Sequence, residues 1–325
     1  IVQMGLFLDG NGIPLAFDLT PGNTNEQKTL LPLEKRIMRD FALSKLVVCT
    51  DAGLSSKTNR SFNSFANRAY VTVQSLKKLK QHLRDWALDP QAWHLNGSST
   101  VFNLNEIDLE DNTAVYTKER WIHENGLEER LIISFSPKYK RYQETIRGRQ
   151  IERACHQIEV KAPARSAKNP NDPARFIQEL KTTPSGEVAQ QRHLSLDLDK
   201  IDNERQYDGF YGVVTNLEDD VQTILRINQR RWEIEESFRI MKSEFKARPV
   251  YLQNEERIEA HFLTCFMALT LFRILEKRLN ETISAETLIQ TLREMDLHPI
   301  RAQGYIPLFK RTALTDKLQK IFGYQ

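Results

Sequence analysis

The chain has 325 residues, with 46 Lys and Arg against 43 Asp and Glu for a formal net charge of +3, and hydrophobic residues make up 40%. This balance excludes wholesale disorder, and so small a net charge does not by itself announce a nucleic-acid partner. The longest apolar run, Phe262 to Leu275, is broken by Arg273 and falls short of the ~20 residues needed to cross a bilayer. The length exceeds one ordinary domain of about 100 to 200 residues, which predicts a sizeable core with an insertion or a second module. Cys49, Cys155 and Cys265 are far apart and outside any CxxC pattern. They argue against a disulfide scaffold or a zinc site and for a reducing, cytoplasmic setting. The chain begins Ile1-Val2-Gln3-Met4 without an initiator methionine, within a strand-like segment, and the expectation is a fragment.

Residues 1–20 read as a hairpin, because two apolar segments flank Asp9-Gly10-Asn11-Gly12, a strong turn signal. Leu30, Leu33, Ile37 and Phe41 then recur at near-helical spacing. Leu46-Val47-Val48-Cys49 predicts a short buried strand ending at Asp51 and a glycine turn. Another strand is expected at 69–73. From about 75 to 203 the character changes to a basic helical piece, several strand-like segments, a charged helix around 138–156, a loop from Pro163 to Pro173 and a strand at 194–198. Phe210 to Thr215 resumes the short buried-strand style. The last third predicts one long helix over 225–245, a second over 255–279, and shorter ones at 287–295 and 315–322.

The stretch around Glu235 carries the most chemistry. Ile227, Ile234, Phe238, Met241 and Phe245 form a narrow apolar stripe on a helical wheel. Asn228, Arg231, Glu235 and Lys242 form a separate polar line within about 60° of one another. Two readings follow: a surface i,i+4 pair worth a few tenths of a kcal/mol, or a carboxylate held between two cations for phosphoryl chemistry on DNA. Asp51, at the end of a strand, is where open α/β sheets place ligands.

Arg231-Trp232-Glu233-Ile234-Glu235-Glu236, with Phe238-Arg239 and Lys242, resembles the Arg-x3-Glu-x6-Lys part of the Tyr-Arg-Glu-Lys signature of bacterial DDE transposases, in particular the IS-four-like group. Ile1 to Leu6, Gly12 to Leu15, Pro21 to Thr24, Thr50 to Gly53 and Arg248 to Tyr251 are similar to that group in the same order. The resemblance implies an α/β, RNase H-like catalytic core interrupted by a β-rich insertion domain. The expected boundaries are 1–76 for the first part of the core, 77–204 for the insert, 205–250 for the second part with the catalytic helix, and 251–325 for a helical C-terminal region.

On this resemblance, Asp51 and Glu235 are the second and third acids of the catalytic triad and ligands of two Mg2+ or Mn2+ ions. Arg231 and Lys242 would contact phosphates, and Asn228, Trp232 and Arg239 complete the DNA-facing set. The signature's tyrosine falls on Asn228, which cannot stack on a base. The strand expected to carry the first aspartate would precede Ile1, so the chain is expected to lack a complete metal site. Asp9 and Asp18 read better as turn and edge residues. The implied partners are transposon terminal inverted repeats, target DNA and a second copy in a homodimer on DNA, with C-terminal helices as the candidate interface. No membrane partner is implied, and the implied place is the cytoplasm, at the nucleoid. A competing reading is a DNA-binding or dimerising remnant without catalysis.

Three further features have bland alternatives. Residues 138–168 hold nine basic and three acidic side chains with Tyr139 and Tyr142 interleaved, so Arg147 and Arg149 are candidates for a phosphate-tracking surface or for an ordinary solvated helix. Glu106, Asp108, Glu110 and Asp111 fit the solvent face of a strand better than a metal site. His261 reads as a structural histidine.

Overall fold

The computed structural model describes residues 2–160, 171–182, 188–301 and 304–323. In chain order the elements begin with β1 (Val2–Leu8), β2 (Pro14–Pro21), α1 (Leu30–Asp40), β3 (Leu46–Thr50), α2 (Lys57–Phe62), β4 (Arg68–Gln74) and α3 (Gln81–Leu88). Then come β5 (Trp93–Leu95), β6 (Val101–Phe102), β7 (Tyr116–Glu124), β8 (Leu127–Phe135), α4 (Pro137–Glu159), β9 (Ile177–Thr182), β10 (Val188–Leu196), α5 (Leu198–Arg205) and β11 (Phe210–Thr215). The chain continues through α6 (Val221–Gln229), α7 (Trp232–Ser243), α8 (Glu255–Arg278), α9 (Ala285–Glu294), β12 (Leu297–Ile300), β13 (Gly304–Pro307) and α10 (Ala313–Phe322). These elements form two compact units, one of residues Ile1–Leu46 with Ile227–Gln325 and one of Val47–Arg226.

In the first unit β1 and β2 pair antiparallel, with Met4 opposite Leu19 and Leu6 opposite Phe17. The turn is held by Asp9, whose Oδ1 accepts from the backbone N–H groups of Asn11 and Ile13, both at 2.8 Å. Gly12 adopts φ +77°, a conformation that favours glycine. Alternation along β1 buries Met4 and Leu6 in a core with Ile240, Met241, Phe262, Leu269, Phe272, Leu288 and Leu318. On α8 the buried positions Phe262, Cys265, Leu269 and Phe272 recur every three or four residues, the stripe expected of a helix with one face in a core. His261 on the same helix lies 3.2 Å from the carbonyl of Ala247, a structural placement.

α8 is long and apolar enough by length and composition to cross a membrane. Its Arg273 nevertheless is 3% exposed and donates to the Ser237 hydroxyl and the Glu233 carbonyl of α7. A guanidinium bound to a neighbouring helix of the same unit marks α8 as part of that core rather than a bilayer span.

The second unit is organised by a seven-stranded sheet in the order β3-β4-β11-β8-β7-β5-β6. β11 is antiparallel to both of its neighbours, β4 and β8. Val71, Leu131, Ile132, Ile133 and Val213 are fully buried, so the central strands are covered on both faces and read as continuous apolar runs. The boundaries expected at 77 and 204 fall within this unit, whose seven-stranded sheet combines strands from outside them (β3, β4, β11) with strands from between them (β5 to β8). The buried Glu129 carboxylate is held by hydrogen bonds, taking both bonds of Arg60 Nη1 at 2.8 Å and the hydroxyl of Tyr70. Burial and the adjacent Glu129 carboxylate both push the Tyr70 phenol pKa up.

Three sequence expectations need correction. The single helix over 225–245 is two helices, because residues 230 and 231 form turns in which Arg231 N bonds Asn228 O and Glu233 N bonds Arg230 O. The acidic group at 106–111 forms turns rather than a strand: Asp108 Oδ1 accepts from Glu110 N, and Asp111 Oδ1 from the Thr113 and Ala114 N–H groups. The strand expected at 194–198 ends at Leu196, and Asp197 caps α5 by accepting from Lys200 N.

Candidate catalytic and DNA-binding site

Asp51 belongs to the second unit. It follows β3 directly, and the strand end is pinned to β4 by a hydrogen bond of 3.0 Å between the Thr50 and Thr72 hydroxyls. The Thr72 hydroxyl also lies 3.1 Å from the Asp51 carbonyl. Asp51 is exposed, and its Oδ1 accepts from Gly53 N at 2.9 Å and Leu54 N at 3.1 Å. One carboxylate oxygen therefore holds the glycine turn, which leaves the other for a ligand.

Glu235 belongs to the first unit, in the first turn of α7. Its side chain is 72% exposed and pairs with Arg231 Nη1 at 3.6 Å, while Arg231 is 25% exposed. Lys242 is exposed two turns along the same helix, and Trp232 stands 53% exposed at its start. Arg239 is exposed but forks onto Glu236, with distances of 3.0 and 2.5 Å. Asn228 departs from the expected polar line, since it is buried at 8% exposure in the last turn of α6. The break after α6 separates it from α7 and leaves the half-buried Arg231 with the exposed Glu235 and Lys242 as the polar line.

The core face of α7 is also rotated from the expected stripe. Glu233, Ser237, Ile240 and Met241 are its buried residues, whereas Phe238 is 36% exposed. Glu233 accepts from Arg230 Nε at 3.2 Å and Nη2 at 3.1 Å, and Lys277 of α8 lies 4.0 Å away. Arg273 adds bonds of 2.9 Å to both Ser237 Oγ and Glu233 O. These contacts clamp α7 to α8 and fix the helix that carries Glu235. Sequence reading missed Glu233 and Arg273, because two charges on apolar helices show no signal until their partners are adjacent.

Beside Lys242, a cavity of about 250 Å3 is floored by Met4, Met241 and Phe262 and bordered by Phe238 and Arg248. In the second unit, Arg147 and Arg149 of α4 have different fates. Arg149 is exposed. Arg147 is buried and forms a fork onto the two oxygens of Asp208, with Nη1 at 2.6 Å from Oδ1. That hydrogen bond raises its pKa further. A guanidinium so committed is unavailable to a phosphate, so the expected DNA contact at Arg147 is withdrawn. Lys161, Arg165 and Lys168, together with the loop expected from Pro163, lie outside the described residues apart from its last three positions.

Asp51 and Glu235 are hard oxygen donors suited to Mg2+ or Mn2+, but they stand in different units. Among the described residues no group of three or more His, Cys, Asp or Glu side chains could hold a metal ion. The two acids by themselves thus do not make up the donor set of a two-ion centre. A family model described as a transposase DDE domain matches residues 2–271. A comparison with curated proteins gives no match. The matched span takes in Asp51, the polar line of α7 and most of α8.

Proposed function

Because the chain belongs to the family of transposase DDE domains, we propose that it derives from an enzyme that cuts phosphodiester bonds at transposon ends and joins the 3′-hydroxyls to target DNA. The family implies DNA binding and DNA-cutting activity, generally with divalent metal ions. The observation that supports a site on α7 is the exposed Glu235 with Arg231 3.6 Å away on a helix clamped into the core. In this reading Arg231 offers a fork and Lys242 a point charge to phosphate oxygens. Glu235 and Asp51 are each assigned as metal-ligand carboxylates, and Trp232 lies against the DNA. The stretch 77–204 is an insertion in an RNase H-like core of the IS-four-like kind, and the active species is a homodimer on DNA at the nucleoid.

A second reading is a chain that binds transposon ends without cutting them. It is favoured by the acid set, which stops at two among the residues assigned to the centre. One experiment separates the two: the full chain is incubated with duplexes carrying the terminal repeat of its element, with Mg2+ or Mn2+. End-specific nicks that vanish in Glu235→Gln support cutting, and retained binding without nicks supports the second reading. Failure to prefer terminal-repeat DNA over a random duplex overturns both.

A further inference from the structure

The cavity beside Lys242 is built within the first unit alone, from β1, α7, α8 and the segment that joins the two helices. Its floor is apolar and buried: Met4, Met241 and Phe262 are 8%, 3% and 2% exposed. Ala247 fixes one wall, since its N–H donates to Met241 O at 2.9 Å and its carbonyl lies 3.2 Å from His261 Nε2. That wall is thus held by the protein's own contacts and needs no occupant. At about 250 Å3 the space exceeds the roughly 150 Å3 that takes up benzene in a protein core. The only lining side chains with nitrogen or oxygen atoms are Lys242 and Arg248, both exposed, and no carboxylate lines the cavity. The arginines at the start of α7 and on it are committed, Arg230 to Glu233, Arg231 to Glu235 and Arg239 to Glu236. Lys242 and Arg248 have no ion pair or side-chain hydrogen bond among the described residues. The other charged residues of this stretch, Glu244, Lys246, Glu255, Glu256, Arg257 and Glu259, lie outside the lining.

We propose that this cavity is a binding site for a small organic anion with a compact apolar body, of the class of aryl carboxylates. The body fills the space over Met4, Met241 and Phe262, where water finds no hydrogen-bond partner among the side chains. The carboxylate stays at the mouth, where Arg248 offers a fork and Lys242 a point charge. An apolar pocket with a few convergent polar groups is the usual form of a small-molecule site. A neutral molecule of the same shape leaves both cations without a counter-charge, and a cation is repelled by both. Lys242 also belongs to the polar line of α7, so occupancy withdraws it from DNA phosphate. That consequence rests on the proposed function, whereas the site itself does not.

The test uses the full chain with isotope-labelled methionine methyl groups, read by NMR, and 2-naphthoate as the probe, without DNA or metal. The signals of Met4 and Met241 should shift on titration, while those of Met38, Met267 and Met295, outside the lining, stay in place. Neutral 2-naphthamide should bind about tenfold more weakly, the worth of one hydrogen bond to a charged group. Arg248→Gln should remove most of that preference for the acid and leave the Met38, Met267 and Met295 signals unmoved, which separates loss of the site from a folding defect. Unmoved Met4 and Met241 signals, equal affinity for acid and amide, or a preference that Arg248→Gln leaves intact would overturn the proposal. So would a random duplex that moves both signals where 2-naphthoate does not, which would assign the pocket to a DNA base. A second arm reads the consequence for DNA: 2-naphthoate should weaken binding of a random duplex relative to an equal concentration of acetate. If the methyl signals move and DNA affinity does not, the site stands and the phosphate contact of Lys242 in the proposed function fails.

Discussion

Replacing Arg273 by Met tests whether the helix carrying Glu235 is held by a buried guanidinium. The substitution keeps an unbranched apolar stem but removes bonds to Ser237 Oγ, to Glu233 O and, at 2.6 Å, to Glu276 Oε2. Ser237 Oγ still donates to Glu233 O at 2.7 Å, so those two groups remain satisfied. The Glu276 carboxylate does not: its side chain is 11% exposed beside an Arg273 side chain that is 4% exposed. Breaking a buried pair from one side costs about 3–5 kcal/mol, while replacing both partners by apolar groups of similar volume is often near neutral. Arg273→Met should therefore lose about 3–5 kcal/mol in urea denaturation, and Arg273→Met/Glu276→Leu should recover most of it. A loss is large against the roughly 5–15 kcal/mol that separates folded from unfolded domains, and it should carry a fall in DNA affinity as α7 loosens. A single variant within 1 kcal/mol of the parent chain (about the low end of one ordinary mutation), or a double variant no better than the single, would refute the clamp.

Arg147 and Arg149 of α4 should behave oppositely. Arg147→Ala strands the buried Asp208 carboxylate and should lower stability by about 3–5 kcal/mol, whereas Arg149→Ala should leave the melting curve unchanged and reduce both DNA affinity and its salt slope; equal effects on stability would refute the distinction. Gly12→Ala should cost about 1–2 kcal/mol from its left-handed backbone alone. A Cβ there would also meet Glu233 Oε2 at 1.9 Å, so chemical denaturation showing no loss would disprove the close approach.

Burial lowers the pKa of Lys118 to about 8, against the opposing pull of Asp89. Its ammonium lies 5.0 Å over the Trp86 ring and 4.8 Å over the Trp93 ring and donates to Asp89 O. Between the folded value and the unfolded value near ~10.4 the unfolded chain binds more protons, so this group's contribution to stability rises with pH across that window and is flat below it. The stability of Lys118→Met relative to the parent should thus fall from pH 8 to 10.4, measured by denaturation at each pH; a difference that stays constant would refute the shift.

Local pattern determined much of this protein. Alternation around Asp9-Gly10-Asn11-Gly12 specified the hairpin, because period two and a turn signal are properties of neighbouring residues. Phe262, Leu269 and Phe272, buried on α8, recur at helical spacing, which is likewise a local property, and the motif around Glu235 pointed to the family that residues 2–271 match. The roles of individual charges were decided by tertiary contacts. Nothing in Gln229-Arg230-Arg231 signals a helix break, since neither Gly nor Pro is present. There the side chain of Glu233 is buried against Arg230 and near Lys277, more than 40 residues away along the chain. Arg147 and Arg149 look alike in sequence, yet only Arg147 meets Asp208, 61 residues on. A charge buried by the fold needs a partner, and one left in water keeps its donors for a ligand. Which case applies depends on long-range packing that no local period encodes.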